Sequence, residues 1–584
     1  VKTSRFVSFL KNGIYMVLIA GLLLSLPLIS SCAGPAQPTQ TPSSPSPTAT
    51  SPSPTPTPTE KLVGIIRHTD SWPCYIDPAV GSDYASSTAI CNMYDSLVFP
   101  NPDGSVKPLL AKSWTVSEDG LTYTFELVPG VKFHNGDELT AEDVVFSLER
   151  IMTIGEGYGY LFTANVKEAK ALDKYKVEFT LKQPFGPFLG ALVRLYILNK
   201  KQVTANIQKE GPYGEFGDYG KGWLVTHDAG SGPYKVKEMK TEEYLLMEKF
   251  NDYWAGWENK DAPQYAKDTG TTEAITVRTL MSRGELEITD QWQTSENLAA
   301  IDQLPNTEVA SLFEGSVLNV MLNTKKPPTD DVHFRKALAY CIDYQQIITK
   351  IFPGSRPSGS IAPSTPGYNP DLKPYSLDLA KAEEELKQSP YYGKLDQYPF
   401  ELYWVSEVPD EEKIALMIQA NAAKLGIQVN VVKIPWLSMI DNLAKPETTP
   451  NGAIIFVAPH YAEAGSMLES RYHSRSCGTW EQGEWLQDSE IDAMIEEAIA
   501  TVDQKERFQK YYAIQEKIAE LCPSLWILEQ ATKQAYRSDY VVFPAAEAVK
   551  QGKPCNPVMG YDFYYRDFKV FPEKAQQPYT PYKP

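Results

Sequence analysis

At 584 residues the chain is too long for one hydrophobic core, which usually stops growing at about 250 to 300 residues, so two or more lobes are expected. Its 73 acidic against 55 basic side chains give a formal net charge of −18 with no basic run, which excludes nucleic acid and an acidic membrane surface as ligands. The sequence has six histidines and no G-x-S-x-G, H-E-x-x-H or G-x-x-x-x-G-K-[ST] pattern; a binding protein is expected, not an enzyme, and no cofactor is implied.

The first segment reads as an export signal. Lys2, Arg5 and Lys11 precede an apolar run from Ile14 to Ile29, and Ile29-Ser30-Ser31-Cys32-Ala33 resembles the lipobox of a lipoprotein. Pro27 and the serines keep the run shorter than the roughly 20 apolar residues that span a bilayer. Residues 1–31 are therefore expected to be a signal peptide, with Cys32 the lipidated first residue of the mature chain. Each buried CH₂ of a lipid contributes about 0.8 kcal/mol, and two or more chains hold a protein on the membrane stably. Residues 32–59 continue as a linker of Pro, Thr, Ser, Ala and Gln with no large apolar side chain. Polyproline II geometry at about 3.1 Å per residue gives this tether a reach on the order of 75 Å.

From residue 60 strand and helix signals alternate. Strands are predicted near 62–66, 121–127, 176–181, 275–278 and 427–432, and helices near 141–150, 331–348, 378–387, 410–425 and 489–520. Leu121, Tyr123, Phe125 and Leu127 alternate with polar residues, as a half-buried strand should. Pro129-Gly130 and Asn135-Gly136 are turn pairs, and Thr140 with Asp143 forms a cap ahead of a helix whose buried face carries Val144, Val145 and Leu148. The class is α/β. No internal repeat accounts for the length.

Residues 94–148, YDSLVFPNPDGSVKPLLAKSWTVSEDGLTYTFELVPGVKFHNGDELTAEDVVFSL, resemble the entry segment of the extracytoplasmic solute-binding proteins of peptide-type ABC importers, family 5. GSGPYKV at 230–236, NDYWAG at 251–256, LNTKKPPTDDVHFRKALAYCID at 322–343, GYNPDLKPYSLDLAKAEEEL at 367–386 and AAKLGIQVNVVKIPWLSMIDNL at 422–443 follow in the family's order. The resemblance implies a two-lobed periplasmic-binding-protein fold with hinge strands and a subdomain inserted in the first lobe. Lobe one would hold about 60–100, 218–322 and 535–584, the insertion 101–217, and lobe two 323–534. It further implies a monomeric receptor, lipid-anchored on the outer face of the cell membrane, that closes around a solute and passes it to ABC permease subunits.

The family's ligand loops fall on or beside Trp72, Trp292, Trp404 and Trp436. In peptide-binding relatives the loop matching 456–474 carries an Asp-Tyr pair whose carboxylate holds the peptide's amino terminus; here the pair is His460-Tyr461. Glu463 is a candidate substitute, and the alternatives to a peptide are an oligosaccharide, a nickel chelate, or a sensor role without transport. His460 and Trp436 are expected to contribute to binding and not to stability. His460, Glu463, His473 and Cys477 lie close enough in sequence to raise a metal site as a minor alternative. Tyr158, Tyr160, Tyr213 and Tyr219, set among glycines, read as surface loops. In an oxidising compartment Cys74 with Cys91, and Cys477 with Cys522, are the preferred disulfides, neither of them fixed by the family; Cys341 on a helix stripe reads as a buried free thiol.

Overall fold

The structure, a computed structural model, describes residues 62–73 and 75–583; the signal peptide, Cys32, the linker and Cys74 lie outside the described residues. No described helix is long and apolar enough to cross a membrane.

The sheet of the first lobe has the strand order Ile65–Asp70, Tyr265–Gly270, Tyr244–Lys249, Tyr234–Lys240, with the first pair parallel and the others antiparallel. Ile65–Asp70 reads IIRHTD, and all six residues are buried. Polar groups tolerate this only when paired. Arg67 reaches Glu287 through Nε at 2.8 Å and Nη2 at 2.6 Å, Thr69 donates to Asp290 at 2.8 Å, and His68 lies against Asp268. Single bridges from His68 to Ile288 and from Ile288 to Tyr536 cover this strand's other edge.

A separate antiparallel sheet, Ala111–Val116, Thr122–Leu127, Lys176–Leu181 and Val166–Asp173 in spatial order, forms the insertion. Tyr123, Phe125 and Leu127 are buried while Glu126 is exposed, which is the alternation a one-sided sheet requires. The helix Ala141–Ile154 packs on it behind a capping box in which Asp143 Oδ2 accepts from the Thr140 N–H at 2.9 Å, and Gly155 ends it in the left-handed region. From this helix Arg150, fully buried, grips Asp77 with two bonds of 2.6 Å and donates to the Tyr219 carbonyl, which fastens the insertion to the loop after the first strand.

The second lobe is built on a five-stranded sheet in the order Val429–Ile434, Phe400–Val405, Gly452–Val457, Val317–Leu322, Ser524–Glu529. Val317–Leu322, placed at the end of lobe one by the sequence reading, lies inside this sheet with all six residues buried. Just before it, Thr307–Leu312 pairs antiparallel with Thr532–Arg537, the strand that follows Ser524–Glu529. Two chain segments, 307–322 and 524–537, thus run side by side from one lobe into the other. Phe334, Leu338, Phe400, Leu402, Ile414 and Ile418 fill a distinct core in the second lobe.

Several expectations are corrected. Residues 275–278 are helical, within Ala274–Ser282: the Glu273 carboxylate accepts from the Ile275 and Thr276 N–H groups, and Val277 and Met281 bury one helical face, which overrides the β-branched run. The span 331–348 breaks after Val332–Ala339, and 489–520 is two helices, Ser489–Ala500 and Gln504–Leu521, the second capped by Asp503. Tyr158 and Tyr219 are buried, not loop surface, and Tyr160 is half-buried. Cys477 and Cys522 are free thiols: Cys522 belongs to the second lobe's core with its Sγ toward the Ser524 carbonyl, while Cys477 points to the Leu486 carbonyl. Cys91 is a buried thiol aimed at the carbonyls of Thr88 and Gly560; its expected partner, Cys74, lies outside the described residues. Cys341 is buried and free, and burial pushes its thiol up to about 12.

Arg150→Met leaves the Asp77 carboxylate buried and alone, and is expected to lower stability by about 3–5 kcal/mol. Urea unfolding followed by circular dichroism checks this; the double variant Asp77→Asn/Arg150→Met should lie closer to the parent than Arg150→Met does.

Candidate functional site

Where the crossing segments pass between the lobes, a cavity with about 80 Å³ open to the centres of water molecules is enclosed by both lobes. At about 10–15 Å³ per water this is room for several waters, or for the body of one small solute. The first lobe contributes Ser71 from the end of its first strand, Asp83 and Tyr84 from the start of the helix Tyr84–Met93, and Trp292. The second lobe contributes Val405, Glu407, Val408, Glu411, Trp436 and Phe456. Glu314 and Ser316 come from the bend between Thr307–Leu312 and Val317–Leu322, and Met559 and Asp562 from the C-terminal segment.

Three tryptophans shape the cavity. The Trp292 ring stands edge-on to Tyr84 at 6.4 Å and tilted against Phe456 at 5.6 Å, and its Nε1 donates to Asp70 at 3.3 Å. Trp436 meets Trp480 edge to face at 5.1 Å, and its backbone N–H is held by both Glu407 oxygens at 3.1 Å. These contacts fix the indole planes before any ligand arrives.

Five carboxyl groups line the same space, Asp83, Glu314, Glu407, Glu411 and Asp562, and among the described residues no Lys, Arg or His does so. Burial pushes Glu314 well above the ordinary carboxylate range, reinforced by Asp562 beside it, and burial raises Asp562. The Tyr84 hydroxyl donates to Asp562 Oδ2 at 2.5 Å. Glu314, 6 % exposed, has an oxygen, Oε1, with no hydrogen-bond partner. Burial raises Glu411 strongly as well, against the pull of the Val405 N–H that it accepts at 2.8 Å. Asp83 is raised by burial, opposed by Ser86 and by the Trp436 indole. A desolvated set of carboxyls with no cation among them favours a positively charged guest.

The structure brings together two of the seven residues singled out in the sequence, Trp292 and Trp436. Trp72 stands next to the cavity-lining Ser71 and packs over Gly270, where an added Cβ would come within 3.2 Å of its ring. Trp404 is core: it is buried in the second lobe's cluster, and it is its neighbour Val405 that reaches the cavity. His460 is buried beneath the site, accepting or donating at Nδ1 to the Tyr160 hydroxyl at 2.6 Å, with Nε2 3.2 Å from Glu481. Tyr461 is buried beside it. Glu463 is consumed by Arg507, through Nε at 2.6 Å and Nη2 at 2.8 Å, and by the Tyr511 hydroxyl at 2.7 Å, so it is not a substitute amine anchor. Among the described residues no group of His, Cys, Asp and Glu converges as a metal site; His473 turns to Asp492 and Glu496, away from His460. The sequence reading missed Asp83, Tyr84, Glu314, Glu407, Glu411, Trp480 and Asp562. The one available signal was Glu314 in the turn FEGS between two apolar strands.

The family model for bacterial extracellular solute-binding proteins, family 5 Middle, matches residues 105–476, well over half of the chain. The chain belongs to this family. A curated relative, the probable D,D-dipeptide-binding periplasmic protein DdpA of Escherichia coli K12, is 29% identical over 489 residues, covering 82% of this chain and 91% of its own. The dipeptide-binding protein of the same organism is 28% identical over 507 residues, covering 80% and 89%. Among solved structures, the periplasmic binding protein DppA of Helicobacter pylori in complex with the peptide STSA superposes with a TM-score of 0.76 at 24% identity, covering 87% of this chain and 98% of that one. The oligopeptide-binding protein AppA of Bacillus subtilis with a nonapeptide gives 0.75 at 20%, covering 88% and 99%. The two-lobed α/β fold is thus that of the family 5 solute-binding proteins, which capture solutes for transport and are not enzymes.

Trp436→Ala is expected to leave the melting temperature of the empty protein nearly unchanged, because this side chain is only half-buried. His460→Ala removes a buried group that engages Tyr160 and Glu481, and should cost about 1–3 kcal/mol of stability. Differential scanning calorimetry of the two variants separates site from core.

Proposed function

We propose that this chain is a lipid-anchored extracytoplasmic receptor that captures a small peptide-like solute by its ammonium group and delivers it to an ABC permease. The observation that carries this reading is the unpartnered Glu314 oxygen beside Asp562, inside a cavity closed by both lobes. The relatives whose names specify dipeptides support the solute class. Three tryptophan faces supply apolar contact and cation–π attraction to an organic ammonium. The His460-Tyr461 pair does not offer the carboxylate found at that position in peptide-binding relatives, and Glu463 is bound by Arg507. The amine is held instead from the crossing segments and the C-terminal segment, by Glu314 and Asp562. In this reading Cys32 is the lipidated residue that carries the anchor.

The charge state of the site sets a pH dependence. The groups facing the bound amine are Asp83, Tyr84, Glu314, Glu407, Glu411 and Asp562, with His68 acting on Asp562 from behind. Raised carboxyls must lose their protons to hold an ammonium, so affinity is highest above their raised pKa values and falls as the pH drops through them. Thermal-shift titrations of the full chain in detergent test this reading. Di- to octapeptides with a free amino terminus should stabilise it, by about 2.7 kcal/mol at 100 times Kd, and their N-acetylated forms should not. Stabilisation by neutral oligosaccharides and not by amines overturns it. Cys32→Ala should move the exported protein from the membrane fraction to the soluble one.

A further inference from the structure

Amino-terminal capture leaves open what becomes of a peptide's other charge. A dipeptide that fills a closed cavity brings its carboxylate inside along with its ammonium, and a carboxylate taken out of water without a cation or several donors costs several kcal/mol. Here the cavity lining supplies five acids and no base. A second chamber of about 280 Å³ joins it, sharing Asp83 and Trp480, and offers a longer ligand more room. That chamber adds Glu156 and Glu481 to its walls, again with no Lys, Arg or His among the described residues. The buried Glu481 also has an oxygen, Oε2, without a hydrogen-bond partner.

Among the described residues near these chambers, Arg471, His460 and Arg194 already have partners, and Lys533 donates to one carbonyl. Arg471 pairs with Glu484 and lies fully buried, and His460 contacts Tyr160 and Glu481. Arg194 gives its guanidinium to the carbonyls of His460 and Met559 at 2.8 and 3.0 Å. Lys533 lines a small recess that shares Gln291, Trp292 and Val408 with the cavity, and its ammonium donates to the Pro353 carbonyl.

Resting on the reading of the site as an amine receptor, we propose that the cleft selects organic cations without a free carboxylate: amines, or peptides blocked at the C terminus as amides. Trp292, Trp436 and Trp480 enclose the apolar body of such a ligand, Glu314 and Asp562 hold its ammonium, and no charged group in either chamber rewards a carboxylate. The selectivity is repulsive as much as attractive, since every acid that draws the ammonium in also opposes the second charge.

Burial supports the same assignment through proton linkage. Glu314 and Glu411 are both pushed well above the ordinary carboxylate range in the empty cavity, so an ammonium that enters displaces protons to the solvent.

Isothermal titration of the full chain in detergent, stripped of co-purified solute, tests the proposal with matched probes: leucyl-phenylalanine against its C-terminal amide, and phenylalanine against phenethylamine. The amide and the amine are expected to bind at least about tenfold more tightly than their acids. Binding should release protons, read as an enthalpy that depends on the ionisation heat of the buffer. Glu314→Gln should weaken the amide by about tenfold or more and reduce the proton release, without lowering the melting temperature of the empty protein. Equal or tighter binding of the free acids overturns this inference while the amine-receptor reading stands; loss of that binding in Lys533→Met would then identify Lys533 as a carboxylate anchor. Failure of all four probes and of their longer peptide homologues, with binding of neutral sugars, overturns the underlying reading as well. The matched probes act on the unaltered protein, so they decide the matter whether or not Glu314→Gln folds.

Discussion

The antiparallel pairing of Thr307–Leu312 with Thr532–Arg537 fixes the geometry on which the rest of the molecule depends. Each strand continues into the second lobe's sheet, Thr307–Leu312 through a bend into Val317–Leu322 and Thr532–Arg537 back into Ser524–Glu529. The lobes are therefore joined by two chain segments that must turn at the same level. That level is where Glu314 and Ser316 enter the cavity. A side chain placed on the bend of a hinge feels any change in lobe closure, and hinge positions of this kind absorb the dihedral change when such proteins close. Cavity lining and the bend between the lobes are thus supplied by the same few residues.

Electrostatics then gives the site its character. Many buried acids in this fold are neutralised: Asp77 by Arg150, Glu287 by Arg67, Glu463 by Arg507, Glu484 by Arg471. The acids of the cavity have no such partner, and neither do the buried Asp95 and Asp290 of the first lobe, which neutral donors hold. Neutral donors and one another are what the cavity acids have, and burial raises Glu314, Glu411, Asp83 and Asp562 accordingly. Leaving desolvated carboxyls without a counter-charge costs stability, and in the proposed amine reading an incoming cation would restore it and favour closure.

Beneath the cavity lies a second polar layer whose role is to hold parts together. Arg194 of the insertion donates to the His460 carbonyl in the second lobe and to the Met559 carbonyl in the C-terminal segment, and its guanidinium lies 4.6 Å from the Tyr158 ring. His460, Tyr461 and Glu463 belong to this layer. They lie in the loop 456–474, expected from the sequence to approach ligand, and His460 from that loop meets Tyr160 of the insertion. Chemistry that looks functional in a linear sequence is here structural, because its partners arrive from segments some 300 residues away, as Tyr160 does for His460.

The sequence by itself determined the class of this protein and much of its local structure. The strand Thr122–Leu127, the capped helix Ala141–Ile154 and the turns at Gly130 and Gly136 follow from alternation, capping and glycine at positive φ, all effects that act within a few residues. Family blocks in their order pointed to the two-lobed fold. Trp292 and Trp436, singled out because large aromatics stand at recognisable loops, both line the cavity. Only the tertiary structure decided which acids are paired and which are not. Glu463 carries the same carboxyl as Glu314, but Arg507, 44 residues on, bonds to the first, while nothing bonds to Oε1 of the second. Likewise the free thiols of Cys477 and Cys522 depend on which core each segment joins, and Trp404 is core because its face of the strand packs in the second lobe's cluster while Val405, on the other face, reaches the cavity. Pairing and burial are properties of distant neighbours, and periodicity along the chain carries no record of them.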